Sequence, residues 1–182
     1  MSDNLLVLYP QNPNLDVVEP DEIRCALSEC GFTAQSKIAF GTRHELPGPR
    51  FLELLKFVDQ PPPGELWAPH TVEIKEPSES IQFLGGANTE NPSCPSCSAE
   101  VPDWTDEISA WYESDNRHLV TCRGCGSTSP VWGLDWHLTC GFGKQSIDVW
   151  HVGFKDAAPS GELSSVLERL GVGTWAYFYY HL

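Results

Sequence analysis

The sequence predicts an α+β protein: a mixed strand–helix body with an inserted four-cysteine zinc ribbon. Three observations carry that expectation. Short apolar runs alternate with stretches of helical periodicity near both ends of the chain. Two C-x-x-C pairs, Cys94/Cys97 and Cys122/Cys125, stand between those ends. With 182 residues, 41% apolar and 11% aromatic, the chain can bury a substantial core.

Each element has its own local reason. Residues 4–9 (NLLVLY) form an uninterrupted apolar run, as a strand covered on both faces would. Pro20 opens a helix with Asp21 and Glu22 in its first turn; Ile23, Leu27 and Cys30 make its apolar stripe, and Gly31 ends it. Residues 33–40 read as a strand. Phe51, Leu54, Leu55 and Val58 fall at i, i+3, i+4, i+7, which predicts a helix over about 49–58. Pro61-Pro62-Pro63-Gly64 stops it as a stiff connector. Residues 70–75 and 80–84 are short strands, and 146–152 (SIDVWHV) alternate as a strand does. Leu163, Val166, Leu167 and Leu170 then repeat at helical spacing between Ser160, an N-cap, and Gly171, a C-terminal stop. The aromatic run 174–182 closes the chain as a buried strand. This order divides the chain into an N-terminal α/β part (1–88), a zinc-ribbon insert with an acidic helix (89–128), and a C-terminal β-α-β part completing the body (129–182).

Charge narrows the function. The formal net charge is −14. Residues 1–60 hold nine acids against five bases, residues 61–116 hold eleven against one (Lys75), and residues 117–182 hold five of each. Most of the acidity therefore overlaps the cysteine motif. Such a chain is badly matched to nucleic-acid phosphates or an anionic membrane, and well matched to a basic protein. The start, MSDNLLVLYP, has no basic n-region, and no apolar run is long enough to span a bilayer. Seven cysteines, an odd number, do not suit a closed disulfide framework, so a reducing cytoplasm is expected.

The chemistry sits in CPSC (94–97) and CRGCG (122–126). A two-residue spacer turns both sulfurs toward one point, and Gly124 and Gly126 permit the tight turn. Two such knuckles supply four thiolates to one tetrahedral Zn²⁺. A site closed by four cysteines leaves no position for water or substrate, so the zinc is expected to be structural. Cys25 and Cys30, five apart on a helix, do not face each other. His137 and Cys140 have ligand-like spacing without a matching half.

Between the knuckles, residues 103–114 make an amphipathic helix. Trp104, Ile108, Trp111 and Tyr112 share one face; Asp103, Asp106, Glu107 and Glu113 share the other. Trp and Tyr are enriched at binding hot spots, and a concentrated negative field speeds capture of a positive partner. Asp103, Trp104, Asp106, Glu107, Trp111 and Glu113 are accordingly the expected partner-binding residues. Only Arg117 and Arg123 lie near a knuckle, which disfavours direct nucleic-acid binding.

Enzyme signatures are absent. Gly141-Phe142-Gly143-Lys144-Gln145 superficially looks like a phosphate loop, but the hydroxyl residue after the lysine is missing and Leu138 stands at the upstream glycine position. There is no G-x-S-x-G or H-E-x-x-H, and His44, His70 and Asp135 form no pattern. No enzyme is expected.

The CPSC…CRGCG pair, the acidic insert and the flanking α+β body resemble small bacterial cytosolic proteins often labelled as transporter ATPases. Some proteins of this appearance are similar to immunity proteins that neutralise type VI secretion effectors, including nuclease toxins of the VRR-Nuc class. The resemblance implies a nuclease inhibitor that binds its cognate basic toxin and covers the DNA-binding face or active-site mouth. A second reading stays open: a zinc-ribbon adaptor or regulatory protein in a transcription or RNA-handling assembly. A homo-oligomer through the aromatic C-terminal strand is a further expectation, since an apolar edge strand invites pairing.

Overall fold

The computed structural model describes residues 4–39, 41–59 and 70–182; the connector at Pro61-Pro62-Pro63-Gly64 lies outside the described residues. The fold is α+β and antiparallel. In its six-stranded sheet β1 (Asn4–Pro10) is flanked by the edge strand β12 (Trp175–His181) on one side and by β10 (Ile147–Trp150) on the other. The sheet continues through β5 (Val72–Ile74), β3 (Thr42–Pro47) and β2 (Thr33–Ala39), in the order β12-β1-β10-β5-β3-β2.

Both faces of β1 are covered, which explains its continuous apolar run. Leu6 and Leu8 join the larger core, while Leu5 and Val7 meet Phe178 on the opposite face. Two helices lie over the first face: α1 (Pro20–Glu29), contributing Ile23 and Leu27, and α4 (Gly161–Glu168), contributing Leu163 and Leu167. All four are fully buried, and each such side chain contributes about 2 kcal/mol in apolar transfer. The ends of both helices follow their sequence signals. Gly31 takes a φ of +79° just past α1, and the Ser160 hydroxyl accepts the Leu163 N–H at 3.1 Å.

The helix expected over 49–58 is only one turn. It comprises α2 (Phe51–Leu54), after which β4 (Leu55–Phe57) pairs with β11 (Ala157–Pro159). The Leu54 carbonyl accepts the Ser160 N–H at 2.8 Å, and Val58 donates to the Asp156 carbonyl. Those distant partners take the backbone groups a longer helix would need, and Val58 is left 77% exposed.

A second core surrounds the cysteine segment. It joins β6 (Gln82–Gly85), α3 (Trp104–Glu113), β7 (Leu119–Thr121), β8 (Thr128–Pro130) and β9 (Cys140–Gly143). Ile81, Ile108, Trp111, Val120, Val131, Trp136 and Phe142 fill it. These apolar contacts extend beyond residues 89–128 because Phe83, Trp136 and Phe142 pack on one another as tilted rings with centroids 5.4–5.9 Å apart. The pair β6/β9 carries this core onto the second face of the large sheet, where a Cβ on Gly141 would lie 2.7 Å from the Tyr9 ring. Gly141 and Gly143 thus belong to a strand in close contact with the sheet.

The outer edge of β12 is partly closed. Tyr179 N–H donates to the Leu138 carbonyl, His181 N–H to Asn88 Oδ1, and Ala87 N–H to the His181 carbonyl. Pairing of two copies along this whole strand is therefore blocked at its C-terminal half. Among the described residues, no helix is long and apolar enough to cross a membrane.

Candidate metal centre

Cys94, Cys97, Cys122 and Cys125 come together with all four sulfurs within 4.8 Å of one another. The Cys94–Cys125 separation is 3.8 Å and the Cys97–Cys122 separation 3.6 Å. A tetrahedron with metal–sulfur bonds of ~2.3 Å has edges of about 3.8 Å. All seven cysteines are free thiols in the structure. The donor set therefore fits a single tetrahedral thiolate-bound metal ion.

Local backbone geometry builds the cradle. In each knuckle the first cysteine's carbonyl is taken by a later N–H, Ser98 to Cys94 and Gly126 to Cys122, closing the turn. Ser98 and Gly126 both have positive φ, +60° and +74°. The Ser96 N–H points at Cys94 Sγ and the Gly124 N–H at Cys122 Sγ, at 3.4 and 3.3 Å. A Cβ on Gly124 would meet the Ala99 methyl at 3.0 Å, so the second knuckle passes close over the first.

The electrostatics point the same way. The Ser127 hydroxyl, then the Ser96 N–H, pushes the Cys94 thiol down to about 6. Ser127 also lowers Cys125. Cys97 moves oppositely: the Ala99 N–H lowers it, but the crowded Cys125 and Cys122 sulfurs outweigh that and push it up to about 12. Four sulfurs this close cannot all ionise alone; a divalent cation would allow it. Ser127, two residues beyond Cys125, has no signal in the sequence beyond that proximity.

The helix between the knuckles is α3, and its two faces have different fates. Trp111 is fully buried and meets Phe142 edge-on, while Trp104 packs on Phe83 and Trp136. Trp111 is therefore not available to a partner, and Trp104 is only partly exposed. Tyr112 stays 46% exposed but its hydroxyl accepts the Phe83 N–H. On the polar face, Asp106 and Glu113 are open to solvent. Asp103 holds Arg123 at 2.9 Å, and Glu107 holds His118 at 2.5 Å. Those two pairs link the helix to the second knuckle and to the residue that leads into β7, the first of them at the surface.

The remaining candidates do not converge. His137 contacts Ser93 Oγ, and Cys140 is buried in the second core; neither joins a metal-ligating group among the described residues. His70 hydrogen-bonds the Trp150 carbonyl between Phe51 and Phe57, and His44 lies edge-on to Trp150. Asp135 instead exchanges backbone hydrogen bonds with Ser93 beside the first knuckle. Cys25 is exposed against Glu29, and Cys30 is half-buried with its thiol on the Leu27 carbonyl.

Comparison with family models, with curated proteins and with solved structures finds no match.

Proposed function

We propose that this chain is a cytoplasmic, non-enzymatic binding protein whose ribbon holds one structural Zn²⁺ and whose acidic surface captures a basic protein partner. Of basic partners, an antibacterial nuclease toxin suits the chemistry best: its phosphate-binding face carries the complementary charge, and covering it suffices for inhibition. The observation that carries the reading is the polar face of α3. Asp106 and Glu113 stand exposed on a helix fixed by a buried tryptophan beneath it and by ion pairs at Asp103 and Glu107. A rigid negative surface loses little entropy on binding. The zinc would act by closing the knuckles, leaving no coordination position for chemistry.

The test is affinity capture of the full chain from its native host at low and high salt, with co-purifying proteins identified by mass. One stoichiometric basic nuclease supports the reading, provided that Asp106→Lys with Glu113→Lys weakens the purified complex at least ten-fold. Polymerase or ribosomal partners, or binding indifferent to those reversals, would overturn it.

A further inference from the structure

A cleft of about 510 Å³ lies where the second core meets the outer edge of β12, and none of the four sulfur-bearing residues lines it. Its walls include Tyr9, Trp132, Trp136, Trp175 and Tyr177, and Asp135 is its one formally charged residue among those described. That carboxylate is 63% exposed. One of its oxygens accepts the His137 N–H at 3.0 Å. His137 also lines the cleft, with its Nδ1 3.6 Å from the same carboxylate. The cleft is thus aromatic, with a single carboxylate on its rim.

Its floor also offers backbone. Tyr179 and His181 have their outward groups taken by Leu138, Asn88 and Ala87. The two-residue alternation of an antiparallel strand puts the Tyr177 N–H and C=O on that same outer edge, since its partner on β1 is Leu8, which pairs onward with β10. Among the described residues neither Tyr177 group has a partner. The edge is closed at Tyr179 by the segment around His137 and Leu138, both held at positive φ (+54° and +62°), and open at Tyr177. Trp175, also on the cleft, has its indole N–H buried without an acceptor.

We propose that this cleft docks an extended segment of a basic protein, which pairs its backbone with Tyr177 and places an arginine or lysine side chain among Trp132, Tyr177 and Asp135. Strand addition supplies two directed hydrogen bonds, and the aromatic walls with one carboxylate select a cation over an anion. The capped edge limits the added strand to a few residues. The inference rests on the partner-binding reading above, to which it adds a second contact surface and a residue type in the partner.

The probe is a capped five-residue peptide with a central arginine between valines, titrated into the isotope-labelled, zinc-loaded full chain and followed by amide and indole NMR shifts. Shifts should concentrate at the Tyr177 amide and the Trp132 indole. Asp135→Asn keeps the acceptor for His137 and removes only the charge; it should weaken binding about five-fold. Trp132→Leu should weaken it at least as much, and a glutamate-centred peptide should bind more weakly still. Absent shifts, shifts centred on α3 instead, or equal binding of the glutamate peptide would overturn the assignment. A basic host partner whose affinity ignores both variants would sink the cleft but leave the inhibitor reading standing. Arginine-peptide binding with no basic partner captured would do the reverse.

Discussion

Asp148 lies directly opposite Glu73 across the β5–β10 pair, and both side chains are buried. Like charges in that register oppose pairing unless something stands between them. Lys75 does: its Nζ is 2.6 Å from Glu73 Oε1 and 3.5 Å from Asp148 Oδ2. Trp150 Nε1 donates to the other Glu73 oxygen, and the Ser146 hydroxyl donates to Asp148. Two carboxylates thus share one ammonium on the second face of the sheet.

Replacing that ammonium should cost the fold. Lys75→Met leaves two buried carboxylates facing each other, and the expected loss is about 2 kcal/mol, lower than for a fully buried pair because Lys75 is 40% exposed. A urea midpoint at neutral pH measures it. Burial, against the pull of Lys75, raises the Asp148 carboxyl above its ordinary 3.8. A folded-state value above the unfolded one means the native state binds the extra proton in that window. The Asp148 contribution therefore favours folding at low pH and is lost as pH rises from 3.8 through the raised value. Asp148→Asn should remove that decline; an unchanged pH slope would contradict it.

Gly141 has a different constraint. A Cβ there would lie 2.7 Å from the Tyr9 ring and 3.0 Å from the Phe178 ring. Gly141→Ala must push the Tyr9 and Phe178 rings aside, for an expected loss of about 1–3 kcal/mol, the usual cost of overpacking. Gly161→Ala is the control, since nothing lies within 4 Å of its Cβ position. Thermal unfolding of the two variants side by side should separate them.

The contrast between these sites shows what the sequence makes legible. The cysteine knuckles, the Ser160 cap and the Gly31 stop are local patterns whose geometry the structure displays, and the run in β1 is a local pattern that records cover on both faces. The strands β4, β7, β8, β9 and β11 are three or four residues long, and β4, β9 and β11 exist because of partners far along the chain, as Leu55 does with Pro159. Too short to carry a periodicity, they escape a windowed reading. Trp111 shows a second limit. Its place on an apolar helix face is plain in the sequence, but whether that face meets a partner or the chain's own Val131, Trp136 and Phe142 is decided by tertiary packing. Asp148 sits in an evidently alternating strand, yet nothing in that alternation says its polar face is covered.

The two faces of α3 should respond oppositely to substitution. Trp111→Ala empties the middle of the second core and should cost about 3–5 kcal/mol. Asp106→Lys, on the open face, should change stability by no more than about 0.5 kcal/mol. Chemical denaturation read by tryptophan fluorescence distinguishes them. A large loss in the aspartate variant would mean that Asp106 has a structural role, and loss of partner binding there would no longer report a contact.

Metal removal tests the centre from which the module is built. If the ion is the proposed Zn²⁺, four thiolates would close both knuckles and fix the turn on which Arg123 reaches Asp103. Cys122→Ser takes away one buried ligand and should reduce bound zinc from one equivalent to a small fraction at micromolar concentration. The body has its own core around Leu6, Ile23 and Leu163, so it should stay folded while the second core loosens. Near-ultraviolet dichroism should then lose the signal of Trp104, Trp111 and Trp136 with far-ultraviolet strand signal largely kept. A strong chelator should reproduce that change in the unmodified protein, and added zinc should reverse it. Metal analysis finding no zinc in protein purified under reducing conditions, or a chelator without effect on the aromatic signal, would rule out the structural site.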